Sequence, residues 1–113
     1  MSEWAYVTRN TKIGTIKTDC DLLEQNMFAV VDPSNDTYQG FIRATDIKDC
    51  PDDATAGDVL DEARKFADRD IFVYVNEPVD KAKEKMKQNK LQFIPVVDYT
   101  KHYEGTLDQN STG

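Results

Sequence analysis

Long apolar runs are missing from this sequence: no stretch approaches the about 18 residues that a membrane-crossing helix needs. The opening Met1-Ser2-Glu3-Trp4 has neither the basic nor the apolar region of a signal peptide, so none is expected. Cysteine is scarce. Cys20 and Cys50 alone make neither a disulfide framework nor a zinc site, and such usage fits the reduced cytoplasm. The single histidine, His102, sits in turn-like sequence beside Lys101 with no serine, cysteine or second histidine in a recognisable arrangement, which argues against catalysis there. Positive charge is also short, with 14 Lys and Arg against 21 Asp and Glu and a net charge of −7. That balance opposes a nucleic-acid footprint, which needs a clustered basic face. The acidity suits solubility.

What the chain does have is a repeat. Phe28-Ala29-Val30-Val31-Asp32 followed by Tyr38-Gln39-Gly40-Phe41-Ile42 returns as Gln92-Phe93-Ile94-Pro95-Val96-Val97-Asp98 followed by Tyr103-Glu104-Gly105-Thr106-Leu107. Val30 and Val96 lie 66 positions apart, and the same offset carries Val7 to Val73, Asn10 to Asn76, Val31 to Val97 and Asp32 to Asp98. After one residue drops out of the turn, Tyr38 matches Tyr103 and Gly40 matches Gly105. Identities placed at strands and turns indicate a duplication, which decides the fold before any single element does.

Each copy reads as strand, helix, strand, tight turn, strand. In the first, residues 4–8 form a short strand, and Asn10 or Thr11 caps a helix from Lys12 to about Gln25 with Ile13, Ile16, Cys20 and Leu23 on its inner stripe. Met27–Val31 is a strand buried on both faces, residues 32–36 turn, and Tyr38–Ile42 returns. Thr45-Asp46-Ile47 opens a short helix that Pro51 prevents from running on. After a polar linker, Thr55 to about Asp68 forms a helix through Val59, Leu60, Ala63 and Phe66. Ile71–Val75 reads as the strongest strand. Asn76 then caps a helix that tolerates Pro78 in its first turn, with Val79, Ala82 and Met86 inside and Glu84 and Lys87 solvated. Phe93–Val97 and Tyr103–Leu107 close the second copy. A helical crossover makes its flanking strands parallel, and the tight turn makes the last pair antiparallel. One such unit leaves a sheet face uncovered, and a second unit solves that problem.

This pattern resembles a tandem cystathionine-β-synthase (CBS) domain pair, or Bateman module. The resemblance rests on Glu77-Pro78-Val79-Asp80-Lys81-Ala82, Met86 and Ile94-Pro95-Val96-Val97-Asp98 with Gly105, and in the first copy on Phe28–Asp32, Gly40-Phe41-Ile42 and Asp46-Ile47. It implies a mixed α+β fold of two βαββ(α) repeats packed as a pseudo-two-fold pair. Residues 1–113 form one module, with repeat one at about 1–49, repeat two at about 50–113 and the closing helix missing. It also implies a non-catalytic regulatory module, usually a two-fold homodimer, that binds an adenosine-containing ligand between its repeats and biases a partner domain. The stretch from Tyr38 to Cys50 is similar to the C-terminal CBS pairs of ATPase subunits in bacterial glycine betaine-type osmolyte ABC transporters, which implies osmoregulation of an attached ATPase. A free-standing small protein is the other host.

The family's ribose-binding Asp, six residues after the hairpin Gly, corresponds to Asp46. Its phosphate-side Ser or Thr corresponds to Arg43, a departure. The opposing wall corresponds to Thr55 and to Leu91, Gln92, Phe93, Ile94 and Pro95, where backbone beside Pro95 reads the adenine edge. The second site reads as weaker. Asp108 and Ser111 stand where a phosphate contact and the ribose Asp belong, with Gln25, Asn26 and Met27 as wall. AMP, ATP, cyclic di-AMP and S-adenosylmethionine all present the adenosine end. Against this stand plainer roles: Asp46 and Thr55 as helix caps, Arg43 as an ion-pairing residue, and the whole as a ligand-free dimerisation and packing module.

Overall fold

The computed structural model describes residues 4–109, without the side chain of Leu23. Ser111, Gly113 and the expected closing helix lie outside those residues. The Cα packing separates two compact units, 5–70 and 71–109 with Trp4.

The first unit contains β1 (Tyr6–Thr8), α1 (Ile13–Leu23), β2 (Met27–Val31), β3 (Tyr38–Arg43), α2 (Ala44–Ile47) and α3 (Ala56–Ala63). Its sheet runs β1-β2-β3, with β2 parallel to β1 and antiparallel to β3. Every residue of β2 is buried, as its unbroken apolarity requires. Phe28 and Val30 join Ile13 and Ile16 of α1, Ile42 of β3, Ile47 of α2 and Val59 and Leu60 of α3 in one apolar core, against which Cys20 packs. The second unit contains β4 (Val73–Tyr74), α4 (Val79–Gln88), β5 (Phe93–Val97) and β6 (Tyr103–Asp108), in sheet order β4-β5-β6.

The duplication holds at the level of backbone register. Val7 pairs with Val30 and Val73 with Val96; Gly40 lies opposite Val30 and Gly105 opposite Val96. Both hairpins shift register at the same place, Val30/Val31 and Val96/Val97. The left-handed residues also come in matched pairs, Glu24 with Lys90 and Asp36 with Lys101. In each turn an aspartate forms the same bracket. Asp32 Oδ1 accepts from the Ser34 N–H and hydroxyl at 2.8 and 2.6 Å, and Asp98 Oδ1 from those of Thr100 at 2.9 and 2.7 Å. These donors, the hydroxyl foremost in both, hold the two carboxyls below their ordinary value.

Four expectations are corrected. First, neither Asn10 nor Thr11 caps α1. Its N-cap is Lys12, without a side-chain cap, because backbone from a distant segment satisfies the first turn. The N–H groups of Ile13 and Gly14 donate to the carbonyls of Ala54 and Asp52 at 2.8 and 3.0 Å, while those of Ala56 and Gly57 donate to Thr11 and Arg9. Thr11 Oγ1 instead accepts from the Thr8 N–H at 3.2 Å. Second, α3 ends at Ala63 rather than near Asp68, and Phe66 is 83% exposed. Past Ala63 the chain turns, with Lys65 N–H donating to Glu62 O and Phe66 N–H to Ala63 O.

Third, the stretch 71–75 yields a strand of only two residues. The Val97 carbonyl accepts from Val75 N–H, so it faces β4. By the period-two alternation of a strand, the nitrogen of Pro95 faces β4 as well, and it has no hydrogen to give. Ala29 occupies the equivalent place in β2, and there the ladder continues to Tyr6. Fourth, α4 starts at Val79 with Pro78 at the N-cap position, so Asn76 is not its cap. A tight turn precedes it, in which the Glu77 carboxylate accepts from Tyr74 N–H at 2.8 Å. Val79 is 48% exposed and leaves the inner stripe to Ala82 and Met86.

Candidate functional site

The candidate site grows from the end of β3. Gly40 there has φ +148°, and a Cβ at this position would lie 2.9 Å from Leu60 Cδ1 and 3.1 Å from the Arg69 carbonyl oxygen. Only glycine lets α3 and the following loop approach β3 this closely. The Tyr38 hydroxyl donates to the same Arg69 carbonyl at 3.5 Å. The backbone of Arg69 is therefore seated on β3 by the hairpin residues that the repeat singles out.

Three residues past Gly40 the strand gives way to α2. The Asp46 carboxylate reaches back to the Arg43 N–H, with Oδ2 accepting at 2.7 Å, as an acidic N3 residue does when it caps its own helix. Arg69 then closes on the same carboxylate with both prongs of its guanidinium. Nη1 donates to Oδ2 at 2.8 Å and Nη2 to Oδ1 at 3.0 Å. The two side chains are only 12% and 18% exposed, so the pair is largely withdrawn from water. Both arginines also lie over Phe41, with guanidinium carbons 5.7 Å (Arg43) and 5.1 Å (Arg69) from the ring centroid. Burial lowers the pKa of Arg43 from its ordinary value, the neighbouring Arg69 charge lowers it further, and Asp46 pulls it back up. The cluster thus gathers two cations, one carboxylate and one aromatic face on a protein of strongly negative charge.

Of the residues expected from sequence, Arg43 and Asp46 are brought together here. Thr55 is placed as the N-cap of α3, its hydroxyl accepting from Asp58 N–H at 3.3 Å while Asp58 Oδ2 accepts from Thr55 N–H at 3.4 Å. In the second unit, Leu91, Phe93, Ile94 and Pro95 are buried and Gln92 is exposed. The Phe93 ring lies 6.3 Å from that of Trp4, and the Gln92 carbonyl accepts from Gln109 N–H. Gln25, expected in the wall of the second site, has its amide committed to Ala5 and Met27. Asp108 ends β6.

Arg69 was not legible as a site residue. It lies 23 positions from Asp46, between Asp68 and Asp70, where its sequence reads as a charged loop. A signal was available in the repeat: Gly40 marks a close backbone approach, and whatever follows α3 must supply it. An open groove of about 390 Å³ lies beside α2, lined by Lys17, Cys20, Asp21, Ala44, Thr45, Ile47 and Lys48, and it includes none of the expected site residues. Among the described residues, no three His, Cys, Asp or Glu side chains are grouped to hold a metal ion, and no helix is long and apolar enough to cross a membrane.

The family model described as the CBS domain matches residues 56–110. Residues 56–110 form a CBS domain. The match covers the second copy together with α3; the first copy repeats the same strand register. No curated protein matches the sequence. Among solved structures, the chain is similar to a CBS domain protein from Pyrobaculum aerophilum complexed with AMP. There the identity is 18%, the coverage 96% of this chain and 84% of that one, and the TM-score 0.76. It is similar to the CBS pair domain of a putative Mg2+ transporter from Shewanella oneidensis at 16% identity, over 98% and 63% of the two chains, with a TM-score of 0.81. It is similar to Staphylococcus aureus OpuCA at 15% identity, over 99% and 90%, with a TM-score of 0.76. At these identities the likeness establishes the mixed α+β fold of a CBS pair.

Proposed function

We propose that this chain is a non-catalytic regulatory module that binds an adenosine-containing ligand and modulates a partner domain, such as a transporter ATPase. The observation that carries the reading is the Asp46 carboxylate. It sits six residues after Gly40 in a CBS-pair fold, held in a defined orientation beside two guanidinium groups. A carboxylate so fixed can accept two hydrogen bonds from a ribose diol, and the arginines suit a phosphate. One protein of this fold is complexed with AMP, and another is the pair domain of a putative transporter; both support the reading. The proposal assigns the ribose to Asp46 and the phosphate to Arg43. It places the module in the cytoplasm as a two-fold homodimer, the default symmetry of soluble assemblies. The sequence similarity of residues 38–50 to osmolyte-transporter ATPase subunits supports that host, with a free-standing small protein as the equal alternative.

One observation favours a second reading, that of a ligand-free packing module. Both oxygens of Asp46 are already occupied within the unit, by Arg69 and by the cap of α2. A thermal-shift panel of AMP, ADP, ATP, cyclic di-AMP and S-adenosylmethionine separates the two readings, because a ligand that binds only the folded state must raise its stability. The expected result is a rise of about 2.7 kcal/mol in stability at a ligand concentration 100-fold above Kd, lost in Asp46→Asn. No shift at millimolar concentration of any of the five leaves the packing module.

A further inference from the structure

We propose that Arg69 selects among adenosine ligands by occupying Asp46 until a ligand anion draws it away, so that the site admits phosphate-bearing nucleotides in preference to neutral or cationic adenosine compounds. The proposal rests on the ligand-binding reading above and deepens it.

The geometry of the ion pair is its foundation. Arg69 Nη1 and Nη2 take Oδ2 and Oδ1 of Asp46 side by side, at 2.8 and 3.0 Å. These are the two positions through which a carboxylate grips a vicinal diol. The third bond to the carboxylate, from Arg43 N–H to Oδ2, belongs to the backbone of α2 and stays in place. A ribose diol that takes both oxygens of Asp46 therefore displaces the Arg69 fork. The Arg69 carbonyl is held by the Tyr38 hydroxyl and closely packed over Gly40, so the displacement is a swing of the side chain on a fixed backbone.

Where the guanidinium goes decides which ligand can drive the exchange. The Asp46 and Arg69 side chains are mostly shielded from solvent, and the Arg43 guanidinium lies over the same Phe41 ring. A neutral nucleoside that took the carboxylate would leave the Arg69 cation poorly solvated beside another cation, which is costly. A phosphate on the same ligand supplies two charged oxygens that can accept both prongs of the displaced fork, so the exchange conserves charge-assisted bonds. In S-adenosylmethionine a sulfonium replaces the phosphate and adds a third cation to the cluster, while its only anion, the carboxylate, is carried four bonds beyond the sulfur. The order of affinity is then AMP, adenosine, S-adenosylmethionine.

Calorimetric titration of the full chain with AMP, adenosine and S-adenosylmethionine tests this, in the native protein and in Arg69→Ala, Arg69→Gln and Arg69→Lys. In the native protein AMP binds at least about tenfold more tightly than adenosine, the equivalent of about 1.4 kcal/mol. In Arg69→Ala the carboxylate is open, so adenosine gains affinity while AMP keeps only Arg43 as a phosphate partner, and the ratio falls by more than about twofold. Arg69→Gln, which keeps a hydrogen-bond donor without the charge, behaves in the same way and carries the test should the alanine variant fail to fold. Arg69→Lys retains part of the preference through its charge. An AMP-to-adenosine ratio that is the same within twofold in native and Arg69→Ala overturns the proposal while leaving the ligand-binding reading intact. Absence of binding in every variant, with all three compounds, removes that reading and this one with it.

Discussion

Gly40→Ala probes the joint that seats both α3 and Arg69 on the first sheet. At φ +148° an alanine is strained by about 1–3 kcal/mol. Its methyl group would also stand 2.9 Å from Leu60 Cδ1 and 3.1 Å from the Arg69 carbonyl, closer than carbon atoms settle. The leucine methyl can rotate away at the price of core packing; the carbonyl is backbone and yields less. Overpacking of this kind costs about 1–3 kcal/mol. The stiffer unfolded chain offsets about 0.4–1 kcal/mol. The net loss is about 2–4 kcal/mol, read as a fall in Tm of roughly 10–20 °C. Thermal unfolding followed by circular dichroism, on a cycle of Gly40→Ala, Leu60→Ala and the double variant, apportions the cost. Leu60→Ala alone destabilises by about 2–5 kcal/mol through the cavity it leaves. In the Gly40→Ala background it costs about 1 kcal/mol less, because the new methyl group enters that cavity. A Gly40→Ala loss below about 0.5 kcal/mol, or strict additivity in the cycle, would refute the close-approach argument.

Thr55→Ala removes the side-chain acceptor at the start of α3 and lowers stability by about 1 kcal/mol in urea unfolding, whereas Thr55→Ser stays close to native. The turn aspartates Asp32 and Asp98 have folded pKa values depressed by hydroxyl and amide donors, so their stabilisation is complete above the ordinary carboxylate range and fades as pH falls through the lowered values. Asp32→Asn with Asp98→Asn therefore reduces stability at pH 7 and flattens its decline below the ordinary carboxylate range, measured as Tm against pH. Burial, and after it Asp21 and Asp19, push the Cys20 thiol up from its ordinary value. Iodoacetamide at pH 8 then alkylates it more slowly than an unstructured cysteine peptide, and Asp19→Asn with Asp21→Asn speeds the reaction.

The sequence states the repeat and the long strands plainly, because a central strand buried on both faces needs an unbroken apolar run wherever it occurs. Met27–Val31 and Phe93–Val97 meet that need, and the aspartate turns after them are set by local side-chain chemistry. The elements that were misplaced depend on partners far along the chain. Ile71–Val75 has every local mark of a strand, yet its length is limited by a missing hydrogen on Pro95. Asn10 and Asn76 are good capping residues at unused positions, since α1 takes its first-turn acceptors from residues 52 and 54 and α4 begins after a turn built by Glu77. At the site, Asp46 could be found from its spacing to Gly40. Arg69 could not, since nothing in the residues around it distinguishes a buried ion-pair partner from a solvated loop.

The seam between residues 9–14 and 52–57 also orders events during synthesis. On a ribosome the β2–β3 hairpin is complete in sequence by residue 43, and α1 well before it, but the Ile13 and Gly14 N–H groups lack their acceptors until Asp52 and Ala54 have emerged. A contact spanning roughly 40 positions closes late and slowly compared with the local turns it joins. Ile13 and Ile16 therefore lack the cover of Val59 and Leu60 until α3 arrives. A translational pause placed just before residue 52 would lengthen that interval, and one placed after residue 70 would not.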